Sequence, residues 1–172
     1  AAAIRAQWNG IRVLDAGANL GFARANNLGM QQSSGPLILL LNPDTVVPGG
    51  AIDRIVASLE ARPDVAIVGP RLVTADGRAE LSFGRMMSPC AELRQKLLVR
   101  ASERAGIVAA YVASATRRER EVDWVSGACL LVRRADAEAV GLMDERYFMY
   151  AEDVDFCAAV RARGRLVLFT PA

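Results

Sequence analysis

Residues 37–41 read Leu-Ile-Leu-Leu-Leu, and the run stops at Asn42-Pro43-Asp44-Thr45. Five large aliphatic residues in succession, with Gly35-Pro36 in front and Asn42-Pro43 behind, describe a strand buried on both faces, as in the middle of a parallel sheet. Pro43 has no N–H to give to a ladder, so the strand ends there. In open α/β sheets ligands bind beyond the carboxyl ends of the strands. Asp44 occupies that place, where a carboxylate can hold a metal and a phosphate. The other reading of Asp44 is an Asx-turn, with Thr45 helping to start the next helix.

The pattern around this strand alternates strand and helix. Ile11–Leu14 reads as a short strand, followed by the loop Asp15-Ala16-Gly17-Ala18-Asn19-Leu20-Gly21 and a helix from Phe22 to about Gln32. After the aliphatic strand, Pro48 suits a first helical position, and Ile52, Ile55, Val56 and Leu59 form an apolar stripe. Val65–Val68 is a strand, and Leu72–Arg78 a hairpin turning at Asp76-Gly77. Residues near 88–120 are expected to be partly helical. Trp124–Val132 reads as one long strand, Arg134–Val140 as a short helix, Glu152–Arg163 as a helix ended by Gly164, and Arg165–Phe169 as a last strand. The expected architecture is one α/β domain, mostly parallel, with an antiparallel insertion.

Composition excludes several classes. The net charge is only +2, and the basic cluster Arg117-Arg118-Glu119-Arg120 is broken by acids with no interleaved aromatics, which argues against nucleic acid. Cys90, Cys129 and Cys157 are odd in number, widely spaced and in apolar surroundings, so neither a disulfide framework nor a zinc site is expected, and a reducing, cytoplasmic compartment is. No apolar run reaches the ~18 residues that a membrane span needs. The chain has no histidine, which removes the commonest general base. Chemistry falls to carboxylates.

A second carboxylate group opens the helix at 152: Tyr147-Phe148-Met149-Tyr150-Ala151-Glu152-Asp153-Val154-Asp155-Phe156. Asp153, Phe156, Cys157 and Val160 share one helix face by their spacing, so Asp153 is the acid expected on the inward side while Glu152 and Asp155 are free to point elsewhere. Acids in a first turn also complement the helix dipole, the bland reading for Glu152 and Asp155. Asn19 and Gly21 read equally as turn residues. Asn26, Asn27 and Gly29 oppose helix formation, by about 1 kcal/mol for the glycine, which points to a close approach or a ligand.

Four blocks carry a resemblance: Asn19–Gly29; Leu40–Thr45; Val125–Arg134; and Gly141–Tyr150 with Glu152-Asp153-Val154-Asp155. Together, and in this order, they resemble family-two glycosyltransferases, most closely the rhamnosyltransferase-like branch. The resemblance implies a Rossmann-like nucleotide-diphospho-sugar transferase fold of the A type and inverting chemistry. It implies that Asp44 binds Mg²⁺ or Mn²⁺ against the donor diphosphate, that Asn19, Arg24, Asn27, Asn42, Asp44 and Gly127 lie on the donor side, that Trp124 and Glu152 lie on the acceptor side, and that Asp153 is the general base. Asn42 stands where many members have a first Asp. The implied partners are a dTDP- or UDP-sugar donor and a saccharide or lipid-linked acceptor in bacterial polysaccharide or cell-wall synthesis, with peripheral association of the full-length protein at the inner membrane face.

The resemblance implies a first strand, with an acid that reads the base, ahead of the position of Ile11, and a histidine beside the diphosphate after the position of Ala172, and residues 1–172 contain neither; Ala159 stands where an arginine is common. Residues 1–172 are therefore expected to be a partial catalytic domain, with an apolar sheet edge left open. Two other functions fit the residues: a nucleotide-sugar or partner-binding module without turnover, and a nucleotidyltransferase. The latter lacks its Gly-rich phosphate loop and has very little lysine to work with.

Overall fold

The computed structural model describes residues 2–8, 10–86 and 105–171. In chain order the elements are α1 (Ala2–Gln7), α2 (Gly21–Gln31), β1 (Leu37–Leu41), α3 (Ala51–Glu60), β2 (Val65–Pro70), β3 (Phe83–Gly84), α4 (Ala105–Ala115), β4 (Arg120–Val122), β5 (Trp124–Val125), β6 (Cys129–Arg133), α5 (Arg134–Ala139), α6 (Glu152–Ala162) and β7 (Leu166–Thr170). The main sheet has the order β1-β6-β2-β7-β4, and β3 pairs with β5 in a small second sheet. β1, β2 and β7 run in one direction; β6 and β4 run against them, so β2–β7 is the parallel pair. The fold is the expected α/β class.

Helices cover both faces. Ile55 and Leu59 of α3 pack on Val65, Val68, Leu131 and Leu168 on one side. On the other, Ala23 and Met30 of α2 and Phe156, Cys157 and Val160 of α6 pack on Ile38, Leu40, Ile67, Val132 and Phe169. β2 is buried along its whole length, as its uninterrupted apolar run requires of a central strand.

β1 differs from its reading. It is an edge strand, its register fixed by five pairs to β6 from Leu37↔Arg133 to Leu41↔Cys129. Leu41 is exposed, and Leu37 and Leu39 are half-buried. The inner positions are taken by β6, β2 and β7, and the expected open apolar edge is the far side of β1. Among the described residues Ile11–Leu14 enters no sheet, and Ile11 and Leu14 are exposed. The long strand over 124–132 is broken into β5 and β6 by a turn at Gly127-Ala128. Helix α3 begins at Ala51 rather than at Pro48, because Gly50 takes a left-handed conformation (φ +73°) before it. The Asp76-Gly77 turn is present, closed by a single bridge between Val73 and Ala79. Cys90 and residues 87–104 of the segment expected to be partly helical lie outside the described residues; α4 covers 105–115. Among the described residues no helix is long and apolar enough to cross a membrane.

Candidate active site at the carboxyl edge of the sheet

The end of β1, the start of β6 and the start of α6 meet through their backbones. The Asn42 N–H donates to the Ala128 carbonyl (2.9 Å). One residue earlier, the Gly127 N–H donates to Asp153 Oδ2 (2.8 Å), while Asp153 Oδ1 accepts the Val154 N–H (2.8 Å). The Asn42-Pro43-Asp44 turn and Asp153 are thus fastened to the same dipeptide, although more than a hundred residues separate them. Gly127 leaves little room there: a Cβ would lie 3.0 Å from Phe22 Cζ and 3.4 Å from Asp153 Cβ, so the Phe22 ring would have to give by a few tenths of an ångström. Asp153 is half-buried, and each carboxylate oxygen keeps a lone pair beyond its backbone bond.

Asp44 is exposed, and its carboxylate makes no hydrogen bond or ion pair among the described residues. No group of three or more histidine, cysteine, aspartate or glutamate side chains that could hold a metal occurs among them. A lone, free, hard carboxylate fits a Mg²⁺ or Mn²⁺ ion shared with substrate phosphates, and does not form an all-protein cage.

The segment before α6 is strapped to the start of α2. The Phe22 N–H donates to the Phe148 carbonyl (2.9 Å), and a Cβ on Gly21 (φ +77°) would lie 2.8 Å from Phe148 Cδ2. Asn19 Oδ1 accepts the Gly21 N–H (3.1 Å), so Asn19 forms the turn into α2. Asn27 is buried and holds the same loop from further along α2. Its Nδ2 donates to the Met143 carbonyl (2.9 Å) and Glu145 Oε1 (3.2 Å), and its Oδ1 accepts the Met143 N–H (3.0 Å). Arg24 pairs with Glu145 (3.4 Å). The amide of Asn27 and the charge of Arg24 are therefore engaged within the protein. Leu142, Tyr150 and Ala151 take left-handed conformations (φ +68°, +71° and +68°), each a cost of about 1–2 kcal/mol for a residue with a Cβ. Phe148, Met149 and Tyr150 are exposed beside this strain.

Two features were not read from the sequence. Glu152, expected to be free to point elsewhere, is 5% exposed, and its Oε2 has no hydrogen-bond partner. Arg71, directly after β2, likewise has a buried Nε with no partner. Its signal was available: it ends an all-apolar strand, as Asp44 does. Trp124, expected on the acceptor side, lies over Gly84, where a Cβ would come within 2.6 Å of the ring, and its Nε1–H donates to the Arg85 carbonyl (3.4 Å). Asp123 ties this corner to α6: Oδ1 pairs with Arg161 and Oδ2 accepts the Met86 N–H (both 2.7 Å). Cys157 is a core thiol, pushed up to about 12 chiefly by burial, and is no nucleophile. A cavity of about 330 Å³ lined by Met30, Ser33, Arg134 and Glu138 sits at the other end of α2, roughly 15 Å from the strap at 1.5 Å per residue.

An α/β sheet that holds Asp44 and Asp153 against one dipeptide at its carboxyl edge is consistent with a nucleotide-sugar transferase domain, and the sequence comparison agrees. The Glycosyl transferase family 2 profile matches residues 1–140, and the chain belongs to this family. It is 32% identical over 96% of its length to the N-acetylglucosaminyl-diphospho-decaprenol L-rhamnosyltransferase of Mycobacterium tuberculosis, covering 58% of that protein. It is 25% identical over 90% of its length to a low-salt glycan biosynthesis hexosyltransferase of Haloferax volcanii, covering 48% of it. A 51-residue stretch, 30% of the chain, is 41% identical to a rhamnosyltransferase of Escherichia coli and covers 19% of that protein. The chain spans about half the length of the first two.

Proposed function

We propose that the intact protein is an inverting glycosyltransferase that moves a sugar, with rhamnose the first to test, from a dTDP- or UDP-sugar to a saccharide or lipid-linked acceptor. The observation that carries this is the double fastening at Gly127-Ala128, which ties the Asp44 turn and Asp153 to one stretch of backbone. Asp153 is the general base. It takes the proton of the acceptor hydroxyl as that oxygen attacks the anomeric carbon, and the bond from that carbon to the diphosphate breaks on the opposite face. The Gly127 N–H holds the carboxylate in place for this. Asp44 would hold Mg²⁺ or Mn²⁺, which when bound neutralises charge on the leaving diphosphate. Asn42 shapes the Asp44 turn through its backbone bond to Ala128 and its carbonyl, which accepts the Thr45 N–H (3.1 Å). Asn19, Arg24 and Asn27 act on the donor side by fixing the α2 start and the 142–151 loop, with Gly127 as the floor. Trp124 and Glu152 face the acceptor, whose lipid link would bring the protein to the inner membrane face. Residues 1–172 supply part of this catalytic domain.

Transfer by the intact protein should be assayed with dTDP- and UDP-sugars against saccharide and diphospholipid-linked saccharide acceptors. Metal-dependent transfer with inversion supports the proposal. Donor binding without transfer or hydrolysis would instead mark a binding module, and pyrophosphate release from a nucleoside triphosphate would mark a nucleotidyltransferase.

A further inference from the structure

The carboxyl end of β2 carries a cation that the fold does not use. The Arg71 backbone N–H donates to the Thr170 carbonyl at the end of β7 (2.9 Å), but its side chain bonds to nothing among the described residues. The residue is half-buried and its Nε is shut off from solvent. Leaving a charged donor dry and unbonded is costly, and an acceptor from outside the protein is the ordinary remedy.

The position indicates which acceptor. The Pro70 carbonyl accepts the Ser82 hydroxyl (3.2 Å), and the Ser82 carbonyl accepts the Ser126 N–H (2.8 Å). Gly127, bonded to Asp153, comes next. Strand alternation sets the side. Gly69 faces β5, where a Cβ would lie 2.7 Å from Val125 Cγ1, and Pro70 faces the opposite side with Leu39 and Ile55. Arg71 returns to the Val125 face, the one covered by α6. β1 ends at Leu41, β6 intervenes and Arg71 directly follows β2, so Asn42 and Arg71 are level with each other, about 10 Å apart across two strand spacings, and Asp44 lies two residues beyond Asn42. A planar guanidinium fork matches phosphate oxygens two at a time.

We propose that Arg71 is an anion-binding residue that holds a diphosphate group at the carboxyl edge of the sheet, on the flank opposite Asp44. Which diphosphate it holds rests on the transferase reading above: the donor's nucleoside diphosphate, or a diphosphate that links an acceptor sugar to lipid. That an anion binds does not depend on turnover.

The test uses the intact protein with Arg71→Met, which keeps the length and removes the charge, and Arg71→Lys, which keeps the charge and loses the fork. Calorimetric titration with inorganic pyrophosphate should weaken by at least about tenfold in Arg71→Met and by less in Arg71→Lys. Weaker UDP or dTDP binding in Arg71→Met assigns the donor diphosphate. A raised KM confined to diphosphate-linked acceptors assigns the acceptor diphosphate. Thermal unfolding of Arg71→Met without ligand should be no lower than wild type, since Arg71 Nε bonds nothing among the described residues and its burial is a cost. Unchanged affinity for pyrophosphate and nucleoside diphosphates, with unchanged acceptor KM, overturns the proposal. So does a folding defect in both variants, which would make Arg71 structural. A wild-type protein that binds pyrophosphate through Arg71 yet transfers no sugar keeps the assignment and sinks the transferase reading.

Discussion

The two ends of one sheet treat polar groups in opposite ways. At the amino end of β2 the arginines are spent inside the protein. Arg133 donates to the carbonyls of Leu59 (2.7 Å), Val65 (2.9 Å) and Arg62 (3.4 Å). Arg134 holds the C-terminal turn of α2 through the Gly35 and Met30 carbonyls and Ser33 Oγ. Arg165 pairs with Asp136, its Nε 2.9 Å from Oδ1 though off the line of a hydrogen bond. At the carboxyl end, among the described residues, Asp44 makes no hydrogen bond or ion pair, Arg71 and Glu152 keep buried atoms without partners, and Tyr150 and Ala151 are strained. The first end closes the loops between helix and strand. The second leaves polar groups unsatisfied and backbone strained, which is what a binding or catalytic site would need and a support would not.

The contrast breaks most sharply at Asp153. Asp153→Asn keeps one oxygen for the Gly127 N–H and gives up the bond from the Val154 N–H, at a cost of about 1 kcal/mol that the fold should withstand, but turnover should fall by about 10²–10⁴-fold with donor affinity nearly unchanged. Steady-state transfer beside donor titration checks this; near-normal turnover would move the base to Glu152. The opposite substitution is Arg133→Met. It strips the Leu59 and Val65 carbonyls of a charged donor and should cost about 2–3 kcal/mol, read as a Tm lower by several degrees, without altering turnover per folded molecule. A large loss of turnover there would erase the distinction between the two ends.

Asp44→Asn sharpens the comparison from the donor side. The metal-dependent part of nucleotide-sugar affinity should drop by about tenfold, while affinity without metal stays the same. Equal metal dependence in variant and wild type would remove Asp44 from metal binding. Ala151→Gly relieves one left-handed alanine, offset in part by the entropy of glycine in the unfolded chain, and should stabilise by about 0.5 kcal/mol in denaturant unfolding. No gain would mean that the loop is not strained where it meets α6.

The smallest effect is acid sensitivity at the surface. Hydrogen bonds from Arg62 hold Asp64 below its ordinary value of 3.8, and Arg146 does the same to Asp144. A depressed folded value means stability that is present above 3.8 and lost as pH falls through the folded value. Arg62→Gln should flatten that acid limb slightly in a pH series of melts. An unchanged limb would mean that this pair contributes nothing measurable.

Periodic, apolar segments were legible in the sequence. α2, β2, α6 and β7 follow from hydrophobic spacing and from Gly164 at the end of α6. The edge position of β1 was not legible, because an aliphatic run reports burial of side chains and not which backbone edges are paired. The break at Gly127-Ala128 was hidden in an apolar stretch whose purpose is contact with Phe22 and Asp153. Helical spacing named Asp153 as the inward acid of the first turn; Asp153 reaches the Gly127 N–H but is only half-buried, and the acid that is buried is Glu152, because the chain enters α6 through two left-handed residues that spacing cannot foresee.

The most direct test is a crystal structure of the intact Asp153→Asn protein with a nucleotide-diphospho-sugar and Mn²⁺, the slow variant preserving the donor. The account predicts the diphosphate at the carboxyl edge with the metal on Asp44, and the anomeric carbon facing residue 153 across an acceptor-sized gap with Gly127 beneath. A donor bound elsewhere, or packed core separating Asp44 from residue 153, would contradict it.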